Sequence, residues 1–78
     1  MSKRLDELKT GCSGRILSIE GDDSISVRLM EMGLTEGEAI KRVGESPFGD
    51  PIEFSVCGYR LVLRATEAAR VQIEELLS

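Results

Sequence analysis

The sequence of 78 residues contains no histidine. Histidine is the side chain that most often acts as a general base, as a metal ligand or as the partner of a nucleophilic serine or cysteine. Its absence argues against the common kinds of hydrolytic catalysis. The chain also lacks the G-x-x-x-x-G-K-[ST] motif with which many proteins bind nucleotide phosphates. We therefore do not expect an enzyme.

Cysteine is scarce, with Cys12 and Cys57 as the two examples. The N-terminal stretch "MSKRLDELKTG" lacks the apolar segment and cleavage site of an export signal, so we expect a cytoplasmic protein with reduced thiols. We interpret both cysteines as surface thiols at turns. Two such ligands make an incomplete metal site, and the acidic cluster of Glu20, Asp22 and Asp23 fits a helix cap without an ion. The sequence therefore predicts neither a metal site nor a cofactor.

Long apolar runs and excess positive charge are also missing. No run approaches the roughly 18 residues of a membrane span. Ten lysines and arginines stand against fourteen aspartates and glutamates, and the three aromatic residues leave little to stack on bases, so we do not expect nucleic-acid binding. An apolar fraction of 41% with 31% charged residues is typical of a soluble globular protein, here one domain spanning residues 1–78.

Glycine and proline divide the chain into short segments. Residues 13–21 predict a strand between glycines, and the imperfect alternation of its apolar residues indicates either cover on both faces or a bulge. Residues 38–46 predict a second strand. The segment 52–65 alternates cleanly around a two-residue turn at Cys57 and Gly58, which predicts a hairpin. The residues predicted to face inward in this hairpin are Ile52, Phe54, Val56, Tyr59, Leu61, Leu63 and Ala65.

Two segments have helical signals. Residues 5–11 carry apolar side chains three apart, enough for one helical turn. Residues 22–34 predict a short helix, with Asp23 or Ser24 as the N-terminal cap and Gly33 as the left-handed residue that ends it. In that arrangement Leu34 contacts Leu29.

The predicted helix carries apolar residues on both sides. Ile25, Leu29 and Met32 form one stripe, which we interpret as the core face. Val27 and Met30 fall on the opposite side together with Ser26, where they are either covered or incidental, or form a recognition patch. Phe48 poses the same question, because the tip of the 47–51 loop either tucks it under the sheet or projects it outward.

The final segment, "TEAARVQIEELLS", is ambiguous. Propensity favours one helix, whereas the alternation of Val71 and Ile73 with polar residues favours a strand after a short turn. Several short strands and one brief helix together indicate a small barrel or roll.

Three stretches carry a family resemblance: "LDELKTGCSGRILSIEG", "VRLMEMGLTEGEAI" and "SPFGDPIEFSVCGYRLVLRATEA". In order and spacing they resemble the family of ferrous iron transport protein A, FeoA, over nearly the whole chain. Thr10 and Glu36 depart from it, since proline is frequent at both positions in the family. The positions that match the family motifs are Arg28, Leu29, Gly33, Leu34, Gly37, Pro47, Gly49, Asp50, Pro51, Gly58, Leu63 and Arg64.

The resemblance implies a mainly β fold, an SH3-like small β-barrel with one short inserted α-helix. It also implies a short helical turn before a last strand, which resolves the ambiguous tail. A similar domain ends iron- and manganese-dependent repressors, but no DNA-binding domain precedes this one, so we do not expect a repressor.

The resemblance further implies a cytosolic accessory of bacterial ferrous iron uptake. Its expected partner is FeoB, the permease that carries a cytosolic GTP-binding domain, with no nucleic acid and no direct membrane contact. From the exposed apolar candidates we predict that Val27, Arg28, Met30 and Phe48 bind this partner.

Two alternatives stay open. One is an iron-binding chaperone or sensor that uses Cys12, Cys57 and carboxylates as ligands. The other is a stimulator of GTP hydrolysis in which Arg28 or Arg42 donates to the transferred phosphate, although solvated surface arginines explain both residues more simply.

Overall fold

A computed structural model describes residues 2–76 as one antiparallel sheet with short helical insertions. The sheet order is β1-β6-β2-β3-β4-β5. No helix in this part of the chain has the length and apolar character needed to cross a membrane. The strands are β1 (Ser2–Arg4), β2 (Ser13–Ile19), β3 (Ala39–Glu45), β4 (Ile52–Val56), β5 (Tyr59–Leu63) and β6 (Val71–Leu76). The helices are α1 (Ser24–Glu31), α2 (Ala65–Ala68) and a 3-10 turn (Leu5–Glu7).

Almost every helix and strand contributes apolar side chains to a single core. The predicted helical turn near the N-terminus is the 3-10 turn, which places Leu5 and Leu8 fully inside. Burial of these aliphatic side chains supplies the main driving force for folding. The other buried apolar residues are Ile16, Leu29, Leu34, Ile40, Ile52, Phe54, Val56, Leu61, Leu63, Ala68, Val71 and Ile73.

The β4–β5 hairpin confirms the alternation in the sequence. Val56 pairs with Tyr59 across a turn in which Cys57 and Gly58 have φ values of 53° and 81°. Two successive positive φ angles match the right-handed twist of the strands, as in a type I′ turn. The inward prediction is wrong for Tyr59, which is nearly half exposed and donates from its hydroxyl to the carbonyl oxygen of Met32. Ala65 begins α2 instead of continuing β5.

Of the two alternatives for the imperfect alternation of strand β2, the structure supports the bulge. Its register with β6 shifts between Ile16 and Ser18, so that Leu17 is exposed. Earlier in the strand Gly14 packs against a core side chain, because a Cβ at Gly14 would lie 2.7 Å from the Cδ1 atom of Ile73. A larger residue at this position would displace the buried Ile73 side chain.

Helix α1 is shorter than the predicted span of 22–34 but begins and ends as expected. The Asp23 carboxylate accepts from the amide of Ser26 at 3.2 Å. At the other end the amide of Leu34 donates to the carbonyl of Leu29, and the amide of Gly33 donates to that of Met30. These two bonds with a φ of 100° at Gly33 form a Schellman motif.

The last segment is a helical turn followed by a strand, which confirms the structure implied by the resemblance. α2 contributes its buried Ala68, and β6 lies between β1 and β2. Strand β1 was not predicted, because three residues rich in charge give no readable alternation. Residues 77 and 78 of the ambiguous tail lie outside the described part of the chain.

Candidate functional site

The inner face of α1 packs against the core as predicted. Leu29 is fully buried, while Ile25 and Met32 are partly buried against the core residues. The prediction for Ser26 is wrong, because it is buried on the flank of this inner face and its hydroxyl donates to the carbonyl of Asp23 at 2.8 Å. Ser26 follows Ile25 and therefore lies about 100° from it around the helix axis. At the first turn of α1 this position is still on the covered side.

The outer face of α1 presents an apolar pair. Val27 is 49% exposed and Met30 is 47% exposed. Residues three apart on a helix are surface neighbours, so the two side chains are adjacent. The covered alternative for these residues is therefore excluded, and the recognition patch stays a prediction.

Arg28, between them in sequence, joins α1 to α2. Its guanidinium forms an ion pair with the carboxylate of Glu67. The other oxygen of Glu67 accepts from the amide of Arg64 at 2.9 Å, which fixes the first turn of α2. Arg28 is thus exposed but held in place from a second element.

Phe48 projects from the loop between β3 and β4. Its side chain is 95% exposed, so the alternative in which it tucks under the barrel is excluded. The loop itself is anchored, because the Asp50 carboxylate accepts from the amide of Ala65 at 2.9 Å. The amide of Gly49 donates to the carbonyl of Ser46 at 2.9 Å.

The structure connects two of the four predicted partner-binding positions, Arg28 and the loop that carries Phe48, to α2. Arg28 contacts this helix through Glu67, and the Phe48 loop contacts its first residue through Asp50. We call Val27, Arg28, Met30 and Phe48 the α1–loop surface. Methionine, phenylalanine and arginine are enriched at protein interfaces, whereas valine is under-represented among the residues that dominate binding energy.

The two cysteines lie in different environments. Cys57 is exposed at the hairpin turn, and its thiol donates to the Glu38 carboxylate at 3.2 Å, which raises the pKa of Cys57. Cys12 packs against the core, so the surface-thiol interpretation is wrong for it. Both are free, as predicted. Within residues 2–76 no three side chains of the metal-binding types come together, so the ligand set of the iron-binding alternative is not assembled.

One carboxylate of the acidic cluster before α1 is paired with an arginine of the same chain. Glu20, Asp22, Asp23 and Arg70 line an open depression of about 300 Å³. The guanidinium of Arg70 donates to the Asp23 carboxylate at 2.7 Å, and this bond, together with the amide of Ser26, lowers the pKa of Asp23. Asp23 caps the helix, as the sequence indicated, whereas its pairing with Arg70 was not predicted.

Arg42 is a further residue whose predicted position at the surface is wrong. Its side chain is only 12% exposed, and its guanidinium donates to the Leu8 carbonyl at 2.7 Å and to Glu45 at 2.8 Å. It fastens the segment after the 3-10 turn to β3, so it is neither a solvated arginine nor a projecting one. Of the two arginines in the GTP-hydrolysis hypothesis, only Arg28 is exposed.

The sequence matches the FeoA domain family over residues 3–75. A curated relative is the Fe(2+) transport protein A/Fe(2+) transporter FeoB fusion protein of Porphyromonas gingivalis (strain ATCC BAA-308 / W83), 35% identical over 75 residues. The match covers 96% of this chain and 9% of the fusion protein, so the chain spans less than a tenth of that relative's length.

Solved structures of similar sequence share the fold. A FeoA-like protein from Clostridium acetobutylicum superposes with a TM-score of 0.92 at 31% identity, covering 99% of this chain and 90% of that one. FeoA of Stenotrophomonas maltophilia, solved in complex with zinc and described as a prokaryotic SH3 domain protein, superposes with a TM-score of 0.80 at 33% identity, covering 91% and 88%. The predicted mainly β, SH3-like fold with one inserted helix is confirmed. The chain belongs to the FeoA family.

Proposed function

We propose that this chain is a cytosolic, non-enzymatic accessory of bacterial ferrous iron uptake that binds the cytosolic GTP-binding part of a FeoB-type permease. The fusion relative supports the pairing, because it holds a sequence similar to this chain and a FeoB transporter in one polypeptide. Two modules joined in one chain meet at high effective concentration, so a modest contact between them suffices.

The observation that carries the proposal is the exposed apolar pair of Val27 and Met30 on α1. These residues are adjacent on the face of α1 opposite the buried Leu29, and each is about half exposed. Burying them against a partner would remove apolar area from water at about 25 cal/mol per Å². Phe48 adds an aromatic side chain that is almost completely free to enter a pocket of the partner.

The contacts of α2 hold this surface in shape before binding. The ion pair between Arg28 and Glu67 fixes one side, and the bond between Asp50 and the amide of Ala65 fixes the other. A surface ordered in advance loses less conformational entropy on association. The four side chains include no nucleophile and no general base, so the surface acts by binding and not by chemistry.

The test is calorimetric binding to the full-length permease in lipid nanodiscs. Met30→Lys places a charge on the α1–loop surface, and lysine suits the C-terminal end of a helix. We expect this variant to bind about tenfold more weakly or worse, equivalent to about 1.4 kcal/mol. Leu17→Lys is the matched control, because Leu17 is also an exposed apolar residue but lies on β2.

The control variant should bind as the wild type does. Equal affinity of Met30→Lys and the wild type would remove the α1–loop surface from the proposal. The chain could bind the full-length permease in nanodiscs but not its isolated cytosolic domain. That result would support the permease as the partner and contradict the GTP-binding part as the contact.

A further inference from the structure

The two edges of the sheet differ in protection. β1 is an edge of three residues, with Lys3 paired to Glu75 at 2.7 Å and Arg4 paired to Asp6 at 3.1 Å. Short length and charged side chains are the usual means by which proteins close an edge to further strands. β5 is the other edge, has five residues and contains neither lysine nor proline.

The free hydrogen-bonding groups of β5 follow from its hairpin register. Across a two-residue turn the flanking residues exchange backbone bonds, so Tyr59, Leu61 and Leu63 direct their amides and carbonyls toward β4. The intervening Arg60 and Val62 direct theirs away from it. Among residues 2–76 no other strand pairs with β5. The series of free backbone groups ends at Arg64, because the Arg64 amide donates to the Glu67 carboxylate.

The side chains of this edge are exposed and positively charged. Val62 is 51% exposed, and the Arg60 side chain is 76% exposed. The segment 59–64, "YRLVLR", carries two arginines and no acid in a chain with a net charge of -4. Glu53 of β4 lies 3.6 Å from Arg60, but this exposed pair is weak and can be exchanged for another carboxylate.

Charge decides which strand fits. Antiparallel pairing of β5 with a second copy would bring four arginines along one seam, and like charges across strands are destabilising. An extended segment with carboxylates on its outer face would instead pair with Arg60 and Arg64. We propose that the β5 edge binds an acidic, extended segment of a partner protein by strand addition. The β5 site uses Arg60, Val62 and Arg64, none of which belongs to the α1–loop surface, and it does not depend on the proposed function.

The first test uses the wild-type protein and two synthetic peptides, one alternating valine with glutamate and the other alternating valine with lysine. The glutamate peptide should shift the amide resonances of Arg60 and Val62 and slow their exchange with solvent. The lysine peptide should bind about tenfold more weakly or worse, since it meets the same arginines with like charge. Equal binding of the two peptides, or shifts confined to other residues, would overturn the proposal.

Variants at the edge separate backbone from side-chain recognition. Val62→Pro removes the amide that faces away from β4 and leaves the β4–β5 bonds intact, so affinity for the glutamate peptide should fall about tenfold or more. Val62→Ala keeps that amide and should stay within about threefold of the wild type. Similar affinities for these two variants would contradict strand addition.

A charge reversal provides a second variant should Val62→Pro fail to fold by circular dichroism. Arg60→Glu should weaken the glutamate peptide and strengthen the lysine peptide, because it reverses the sign at the centre of the edge. An unchanged preference for the glutamate peptide would overturn the proposal. Self-association of the wild type through the amides of Arg60 and Val62 would overturn it as well.

Discussion

Helix α1 has two apolar faces, and they differ in exposure to solvent. The inner face, built on Leu29, is sealed in the core, whereas the outer pair of Val27 and Met30 faces solvent. Burying a leucine side chain contributes about 1.5–3 kcal/mol to folding, while a half-exposed residue contributes much less. The comparison teaches that apolar spacing alone does not separate residues that stabilise the fold from residues available to a partner.

The largest effect on stability is expected from Leu29→Ala, on the inner face. Removing a fully buried leucine leaves a cavity, so we expect the free energy of unfolding to fall by about 2–5 kcal/mol in urea titrations. Met30→Ala one residue later is the matched control and should change it by less than about 0.5 kcal/mol. A similar loss in the two variants would show that α1 has no distinct outer face.

Gly33→Ala tests how much the Schellman motif at the C-terminal end of α1 contributes to stability. An alanine would have to adopt a φ near 100°, and its Cβ would collide with the Tyr59 hydroxyl. Both effects destabilise, and we expect a loss of about 1–2 kcal/mol or more by urea unfolding. Gly37→Ala provides the control, since it shares the positive φ but meets no neighbour within 4 Å and should cost less. Equal losses would mean that the contact with Tyr59 is unimportant.

Much of this helix and of the hairpin could be predicted from local sequence. The cap at Asp23, the left-handed Gly33 and the turn at Cys57 and Gly58 each rest on residues within a few positions of one another. Such signals depend on backbone preferences that tertiary packing does not override. The break in alternation of β2 left a bulge as one of two alternatives, and the register shift between Ile16 and Ser18 decides for it.

The remaining features depend on contacts between distant segments. Arg42 reaches the carbonyl of Leu8 across 34 positions, and Cys57 reaches Glu38 across 19. The hydroxyl of Tyr59 bonds α1 from a strand that begins 27 residues after Met32. No local pattern encodes these pairings, so the exposure of Tyr59 and the burial of Arg42 could not be read from the sequence.

The stability that the N-terminal cap of α1 contributes should depend on pH. The bond from Arg70, with help from the Ser26 amide, lowers the pKa of Asp23, so the folded state favours the carboxylate. Its stabilisation is therefore complete above the unfolded pKa of about 3.9 and is lost as the pH falls through the lower folded value. Asp23→Asn keeps a capping group without the charge.

We expect the melting temperature of Asp23→Asn to lie below that of the wild type at pH 7, and the gap to close below about pH 4. Circular dichroism melts at several pH values would measure it. A gap of equal size at pH 2.5 and pH 7 would mean that the charge of Asp23 does not contribute.

The smallest expected effect is that of Arg28→Ala on stability. Its ion pair with Glu67 lies at the surface, where such pairs contribute about 0–1 kcal/mol. The urea midpoint should therefore move little, while permease affinity falls because the guanidinium belongs to the outer face. Lys41→Ala, at an exposed position on β3, is the control for loss of a positive charge. A loss of stability similar to that of Leu29→Ala would assign Arg28 to the fold.

The most direct test of the account is a titration of isotopically labelled protein with the cytosolic domain of a FeoB-type permease, followed by backbone amide resonances. We predict resonance shifts concentrated in residues 25–34 and 46–51, the segments that carry Val27, Arg28, Met30 and Phe48. These shifts should be lost in Met30→Lys and retained in Leu17→Lys. Shifts confined to other segments, or the same shifts in both variants, would contradict the assignment of the α1–loop surface as the binding site.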